Sequence, residues 1–543
     1  MRSPAPKALL ATASVAVALA AADTYVVVLA LTDMMTGVGL GVDALQKATP
    51  IISGFLLGYI AVLPLIGRLA DLAARQRILV VCLCIFALGS AITALAVELP
   101  VLVTGRVLQG VGGGGLVPAT LALVADLWPP GRRGMPLGVV GAVQELGSVL
   151  GPVFGAAILA VSGWRTIFWV NFAAGLVLAV AVLVIGGGAP RRPRGIPLAL
   201  GVLALATGAL ALSAPFRLVT DVTLGLPFVP FGHATSRLAT PIGVAALALA
   251  LLWLGTTAPR AWPVLRRADL PGAVLLGLSL GCVVLTFAAS DPQREVVGRV
   301  GWLLLPVGAL ALGGYLWRHR TADEPLVARG ALRGRAGAAL LTSLLAGAAL
   351  VAVVVDVPVL ARLTYTSSQT VAALVLVRFL VAVPVGALVG GWSLHRLGDG
   401  LVSGCGLVVA AVGLVAMSRW GQGSLASPLA TVALVAVGLG IGLAVAPVNN
   451  AALANTAADA HATASALVVV ARMVGMVVGL ALLTAIGLHR YYDTVAALPN
   501  QGDTGALVAA GVVQVQTVFL GAAVAASLGA LASAGLGLRR VEH

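Results

Sequence analysis

Asp23, Glu145 and Arg472 are ionisable residues that lie within long apolar stretches of this 543-residue chain. An ionised side chain at the centre of a bilayer costs roughly 2.5–3.5 kcal/mol, so such residues usually mark ion or substrate pathways. A carboxylate in a dry cavity can carry a proton, and an adjacent arginine holds it ionised. We therefore predict that Asp23 and Glu145 are proton-linked groups with Arg472 as their partner. The alternative is a static buried ion pair between two helix bundles.

The composition identifies the kind of protein in which these charges lie. Hydrophobic residues make up 60% of the chain and charged residues only 10%, whereas soluble domains carry about 25% charged residues. This is a polytopic membrane protein. The net charge of +14 comes from arginines in short connections that fall on one side of the membrane, which is the positive-inside pattern. No soluble module offers the basic, aromatic-rich face of a nucleic-acid binder.

The chain lacks the residue patterns of an enzyme or an ATP-driven pump. Its six histidines are scattered in connections or at the end, without a His-Glu-x-x-His motif, and no glycine-rich loop ends in Gly-Lys-Ser/Thr. The four cysteines lie in apolar spans and are interpreted as small hydrophobic residues. We expect no enzymatic activity, no cofactor and no metal site.

Sixteen apolar segments are candidates to cross the membrane. They lie at about 8–31, 49–68, 78–97, 101–127, 136–161, 167–187, 197–214, 239–257, 270–290, 300–317, 337–360, 370–392, 401–419, 428–450, 462–487 and 512–537. This pattern predicts an all-α membrane protein with two six-helix bundles and additional linker helices, 14–16 transmembrane helices in all. The first helix is expected to stay uncleaved, with both termini in the cytoplasm.

Three domains follow from this segmentation. Residues 1–188 form the first bundle, 189–336 a linker region with two to four extra transmembrane helices, and 337–543 the second bundle. Segments 197–214 and 239–257 either form a spanning hairpin or lie partly in the membrane interface, and their basic outer flanks favour spanning. The connection at 357–369 alternates in a way that is compatible with a small hairpin.

A short charged motif recurs in the two halves. Residues 67–75 (GRLADLAAR) lie between the second and third spans, and residues 391–399 (GWSLHRLGD) occupy the equivalent place in the second half, which favours two related bundles. Glycine lets helices approach, and an aspartate at a helix terminus can pair with arginines or a helix N-terminus and release them as the halves rock. The alternative is a solvated basic loop that only sets topology. The predicted gate residues are Gly67, Arg68, Asp71, Arg75 and Arg77, with Gly391, Arg396 and Gly398 in the second copy.

Two further spans carry glycine-rich motifs beside a charged residue. Arg106 precedes the glycines of residues 110–115 and, if buried, needs a carboxylate or carbonyls. Glu145 begins the segment ELGSVLGPVFG (145–155), whose glycines and proline can make a bendable, closely packed helix. The same glycines equally serve ordinary packing. The residues singled out in this segment are Gly147, Gly151, Pro152 and Gly155.

Together these motifs resemble the major facilitator superfamily, specifically its drug:proton antiporter branch with fourteen or more spans. The resemblance covers nearly the whole chain except about residues 197–257. Within the branch, residues 23–28, 144–152, 378–392 and 468–479 are similar to the actinobacterial triacylglyceride exporters, which work with a periplasmic lipoprotein. The first gate copy departs from the family pattern at Leu72, where arginine is usual, and at Ala74, where glycine is usual.

The resemblance implies a site and a function. It implies that Asp23, Glu145 and Arg472 lie in a central cavity, that Arg378 is nearby, and that Arg106 takes part in proton coupling. It also implies a hairpin at 357–369 and long last helices on the outer side. The expected function is proton-coupled secondary active export of triacylglyceride-like lipid across the cytoplasmic membrane by alternating access, with a periplasmic lipid-carrier lipoprotein as partner. A multidrug:proton antiporter for amphipathic drugs is the alternative, and we expect a monomer.

Overall fold

A computed structural model of the protein describes residues 6–40, 45–186, 195–221, 223, 225–232, 236–288, 299–330, 333–366, 369–394, 396–499 and 503–537. These residues form helices and connections, with no strand among them. Helices are expected because, in hydrocarbon, every backbone N–H and C=O must be satisfied within the protein. Within the same ranges, fifteen helices are long and apolar enough to cross a bilayer, so the all-α prediction is confirmed.

Six long helices form the first bundle. They are α1 (Pro6–Gly37), α2 (Leu45–Leu72), α3 (Arg75–Leu95), α4 (Leu99–Leu127), α5 (Gly134–Val161) and α6 (Trp164–Ile185). Helix α1 packs on α5, α2 on α4, and α3 on both α4 and α6. The core of this bundle includes Phe55, Ile60, Leu83 and Phe86, all fully buried.

The linker contains four long helices and one short one. They are α7 (Gly195–Ser213), α8 (Phe216–Val219), α9 (Pro241–Arg267), α10 (Leu270–Ala288) and α11 (Arg299–Thr321). Helix α7 pairs with α9 and α10 with α11, while α10 also packs on α2. Helices α7 and α9 are both among the fifteen, which supports the spanning interpretation of residues 197–257. Helix α11, predicted at about 300–317, is not among them.

The second bundle repeats the packing of the first. Its helices are α12 (Arg335–Thr364), α13 (Gln369–Ser393), α14 (Asp399–Met417), α15 (Pro428–Ala454), α16 (His461–Ala496) and α17 (Thr504–Ser533). Helix α12 packs on α16, α13 on α15, and α14 on both α15 and α17. These pairs match α1–α5, α2–α4 and the contacts of α3, so the prediction of two six-helix bundles is confirmed. The domain boundaries at 188 and 336 stay predictions.

Contacts among five helices hold the bundles together. Helix α5 packs on α13, and α16 packs on α2 and α4. Helix α16 has 36 residues, which gives a length of about 54 Å, well beyond the roughly 30 Å of hydrocarbon. Helix α16 is therefore long enough to line the interface between the bundles across the whole thickness of the hydrocarbon.

The small hairpin expected at 357–369 is wrong for its described residues. Helix α12 continues to Thr364, and the amides of Tyr365 and Thr366 then bond to the carbonyl of Ala361. Val357 and Leu360 are buried three residues apart, as on one helix face. A short alternation of polar and apolar residues could not distinguish the two-residue period of a strand from the 3.6-residue period of a helix. The basic, proline-rich connection at 189–197 lies largely in 187–194, outside the described residues.

Candidate functional site

A cavity lies between the two bundles, lined by α4, α5, α12, α13, α15 and α16. Most of its lining is valine, leucine, isoleucine and alanine; its polar side chains are Gln144, Glu145, Ser343, Asn449 and Arg472. The cavity volume is about 50 Å³, room for only a few water molecules. A ligand of lipid size therefore requires the bundles to separate.

An ion pair crosses this cavity. Arg472 on α16 donates a hydrogen bond through Nη2 to Oε1 of Glu145 on α5. The Glu145 side chain is 9% exposed and the Arg472 side chain 18%, so both reach the cavity without being freely solvated. The pair joins the two bundles across the cavity between them.

Asp23 lies in a separate network inside the first bundle. Its Oδ2 accepts a hydrogen bond from Arg106 Nη1 at 2.6 Å, and its Oδ1 accepts one from Asn171 Nδ2 at 2.6 Å. Gln109 Nε2 lies 3.4 Å from the same Oδ1. The Arg106 guanidinium also stacks near the ring of Phe55, 4.6 Å from its centroid. The carboxylate is thus neutralised and hydrogen-bonded entirely by its own bundle.

The predicted constellation is therefore divided in two. Arg472 pairs with Glu145 but not with Asp23, so that part of the prediction was wrong. Asp23 does not line the cavity described above; it is buried, with 1% of its surface exposed. The direction of each side chain around the axis of α1 explains this. Ala22 packs against Gly151 of α5, and the side chain of the next residue, Asp23, points about 100° away from that of Ala22. Asp23 consequently faces α4 and α6.

Sequence reasoning missed the side chains that complete the Asp23 network. Gln109 accepts a hydrogen bond from Arg106 at 2.8 Å and donates one to Ser90 at 2.8 Å. Its spacing of three residues from Arg106 places both on one helix face, and that signal could have identified it. Asn171 comes from α6, and nothing in local spacing relates it to Asp23.

Arg378 lies apart from both charged groups. It is on α13 and donates a hydrogen bond from Nη1 to Thr431 Oγ1 of α15 at 2.9 Å. It does not line the cavity between the bundles. In this conformation Arg378 therefore joins two helices of the second bundle.

The first gate copy connects the bundles at one end, which we call the gate end. Asp71 of α2 accepts hydrogen bonds from the backbone N–H groups of Ala462 (2.8 Å) and Thr463 (2.9 Å) and from the Thr463 hydroxyl (2.6 Å). These amides belong to the first turn of α16, which has no side-chain cap of its own. An aspartate of one bundle therefore caps a helix of the other.

Glycine and arginines extend this contact. A Cβ on Gly67 would lie 2.8 Å from the Cβ of Ala466, so only glycine allows α2 this close to α16. Arg75 pairs with Asp126 and donates to the Ala458 carbonyl at 2.9 Å. Arg68 lies 3.5 Å from Glu324 in the connection after α11. Among the described residues, the Arg77 side chain has no hydrogen-bond or ion-pair partner, while its backbone N–H donates to the Ala74 carbonyl at 2.8 Å.

The second gate copy acts differently. Gly391 of α13 lies against Gly134 and Gly138 of α5, where an added Cβ would come 3.0 Å from Gly138 Cα. Arg396 stacks on Trp392, 4.8 Å from the ring centroid, and Gly398 precedes α14 as its N-cap residue. Gly391 and Leu394 of this copy therefore contact the other bundle, whereas Arg396 pairs with a residue of its own bundle.

The glycines of the ELGSVLGPVFG segment pack α5 onto α1. Added Cβ atoms on Gly147 and Gly151 would overlap the backbone of Ala18 and Ala22, and one on Gly155 would meet Val26. Pro152, inside α5, is half-buried. This close contact places Asp23 and Glu145 on neighbouring helices, with Asp23 facing α4 and α6 and Glu145 facing the cavity. Among the described residues there is no group of three His, Cys, Asp or Glu side chains that could hold a metal.

Known proteins are similar to this chain in sequence and in fold. Residues 13–313 match the Major Facilitator Superfamily. The triacylglyceride transporter of Mycobacteroides abscessus is 37% identical over 499 residues, covering 89% of this chain and 83% of that protein. That of Mycolicibacterium smegmatis is 36% identical over 547 residues, covering 95% and 85%. The structure of the proton:xylose symporter XylE matches with a TM-score of 0.56 at 12% identity, covering 97% of this chain and 94% of that one.

The fold, the repeated gate motif and these relatives agree. Two related six-helix bundles meet around a cavity, and the family match covers more than half of the chain. The chain belongs to the Major Facilitator Superfamily and is a multi-pass membrane transporter, not an enzyme.

Proposed function

We propose that this protein is a proton-coupled secondary active exporter of triacylglyceride-like lipid, working by alternating access across the cytoplasmic membrane. The observation that carries the proposal is the Glu145–Arg472 ion pair, which joins the two bundles across a mainly apolar cavity. Because this ion pair joins the two bundles, binding of a proton to Glu145 would directly weaken the contact between them.

Coupling follows from the cost of a buried unpaired charge. Protonation of Glu145 removes the negative charge that compensates Arg472, which weakens the contact across the cavity. The gate end must open and close in the same cycle, because Asp71 holds α2 to the first turn of α16. Arg472 lies on that same helix, about ten residues further along, so motion of α16 affects both contacts.

The charge balance of the cavity supports a neutral substrate. Its lining contains one carboxylate and one guanidinium, which are paired with each other. No excess of negative charge is left among the described lining residues to attract a cation, whereas the aliphatic walls suit acyl chains. The two mycobacterial relatives described above carry the name triacylglyceride transporter, which supports the same substrate class.

The alternative is a multidrug:proton antiporter for amphipathic drugs. The same aliphatic walls accept the apolar part of a drug, and a protonation cycle at Glu145 would serve either substrate. The charge balance is what favours lipid.

The proposed orientation places both termini and the gate end in the cytoplasm, following the distribution of arginines in the connections. The opposite end of the bundles, which we call the far end, then faces the periplasm. Helix α16 projects there with exposed charges such as Arg490 and Asp493. A periplasmic lipid-carrier lipoprotein would meet the protein at this end.

The test reconstitutes the purified protein in vesicles under an imposed pH gradient. Labelled triacylglyceride and a cationic dye are offered in separate experiments, and transport is expected for the lipid, driven by the gradient. Transport of the dye alone would overturn the lipid proposal. Transport of lipid that ignores the gradient would overturn the coupling.

A variant pair separates a coupling role of Glu145 from a static one. We expect Glu145→Gln to lose pH-driven transport because the side chain can no longer release a proton. The double variant Glu145→Gln with Arg472→Gln removes both charges and should remain inactive. If the double variant transports as the unaltered protein does, the pair only holds the bundles together.

A further inference from the structure

The second bundle contains a buried carboxyl group that no motif above includes. Asp356 lies on α12 with 3% of its surface exposed. Its Oδ2 is buried without a hydrogen-bond partner, and no ion pair joins Asp356 to any residue that the structure describes. Asp23 and Glu145, by contrast, each face an arginine.

The internal repeat relates Asp356 to Asp23. Gly147 and Gly151 of α5 contact Ala18 and Ala22 of α1; in the second bundle, Gly475 and Gly479 of α16 contact Leu344 and Ala348 of α12. The counterpart of Asp23 is therefore Ala349. Asp356 follows Ala349 by seven residues, which is about two turns and returns to nearly the same helix face. Each bundle thus carries one carboxyl on the inward face of its first helix.

The two carboxyls differ in depth as well as in partners. Asp356 lies 21 residues beyond Arg335, or about 31 Å from the gate end of α12, and about 12 Å from the far end of the helix at Thr364. Its neighbours along the same face, Ala352 and Leu360, are each 1% exposed. Asp356 is therefore enclosed in the half of the bundle that opens toward the far end.

No ionisable group of the described residues on α12 or on the surrounding helices forms an ion pair with Asp356. Helices α15 and α17 contain none. On α13, Arg378 lies at a similar depth, nine residues from the helix start, but it binds Thr431. On α16, Arg472 binds Glu145 and His489 lies 3.6 Å from Asp493 at the exposed far end. The remaining ionisable groups on these two helices and on α12 are His461, Arg490, Tyr491, Tyr492, Arg335 and Arg362.

We infer that Asp356 is a further proton-binding group of the transport cycle: it holds a proton while the far end is closed and exchanges it with outer water when that end opens. A carboxylate buried without a partner is far more costly than the neutral acid, which is why the closed arrangement keeps the proton. The inference rests on the proposed proton-coupled transport.

Two measurements test it, with Asp33→Asn as the matched control, since Asp33 is an exposed carboxylate at the far end of α1. Infrared difference spectra, with aspartate isotopically labelled at the side-chain carboxyl, should show a protonated carboxyl band at neutral pH that Asp356→Asn removes and Asp33→Asn leaves. In vesicles with labelled triacylglyceride, Asp356→Asn should lose pH-driven transport, and Asp33→Asn should keep it.

Asparagine matches the shape of the neutral acid, so Asp356→Asn should fold with an unchanged melting temperature. A large fall in stability would show that the ionised form holds the bundle together and would overturn the inference. So would an unchanged infrared band, or unchanged pH-driven transport in this variant. Failure of the unaltered protein to couple transport to the gradient would instead defeat the proposed function, and it is seen before any variant is compared.

Discussion

At the scale of single residues, Asp23 and Glu145 of the first bundle are held in different ways. Asp23 is enclosed and bound by Arg106 and Asn171 within one bundle. Among the residues that the structure describes, the Glu145 side chain has one hydrogen-bonded partner, Arg472, and it belongs to the other bundle. Only Glu145 can therefore change its partner when the bundles move apart, while Asp23 keeps its partner as long as the first bundle stays intact.

This difference predicts different stabilities for the two neutral variants. Asp23→Asn leaves Arg106, which is 1% exposed, buried without a counter-ion, and breaking such a pair costs about 3–5 kcal/mol. Thermal unfolding of the purified protein should show a large fall in melting temperature. Glu145→Gln should change it less, since Arg472 reaches the cavity. Equal melting temperatures for the two variants would contradict this assignment.

At the scale of elements, the gate is a helix cap supplied by a different bundle. The N-terminus of α16 presents unsatisfied N–H groups and the positive end of the helix dipole, and Asp71 satisfies both. A cap of this kind is worth about 0.5–2 kcal/mol. A contact of this strength would hold the gate end closed and could still be broken in each cycle of the proposed alternating access.

Asp71→Asn should therefore shift the gate toward its open form. The amide still accepts a hydrogen bond but loses the charge that the helix N-terminus favours. Spin labels on α2 and α16 at the gate end should show a longer mean distance in this variant. Asp399→Asn is the matched control, because Asp399 binds Asn450 and Arg335 within the second bundle. If both variants shift the distance equally, the cap is not the determinant.

At the scale of the whole molecule, apolar length located the helices because a span needs about 20 predominantly apolar residues. The repeated gate motif likewise indicated two bundles. Side-chain partners were harder: the position of Asp23 on α1 defines a helix face but not the neighbour that the face meets. The prediction of a hairpin at 357–369 was wrong because a few alternating residues are too short a pattern to separate a strand from a helix. Asp356 lies in the predicted segment 337–360 much as Asp23 lies in 8–31, but no motif surrounds it, and its lack of a partner is visible only in the structure.

The linker hairpin α7–α9 is expected to be dispensable for the fold. In the 18-residue apolar stretch of each helix only 11% of the residues are buried, and the two helices pack mainly on each other. Excision of residues 195–267 removes two spans, so every later helix keeps its orientation. The shortened protein should be recovered as folded, monodisperse material with pH-driven transport.

Excision of α7 alone is the control, since one span fewer inverts the topology that follows, and this variant should not accumulate as folded protein. Aggregation of the longer deletion would show that the hairpin supports the bundles after all.

The capping of α16 by Asp71 forms a latch between the bundles in which side-chain identity matters mainly on the Asp71 side. Its two amide donors are main-chain groups of Ala462 and Thr463, and every residue except proline supplies the same donor. Apart from the Thr463 hydroxyl, sequence changes in the first turn of α16 leave the latch intact. Changes that alter its strength are therefore concentrated at a single residue of the opposite bundle.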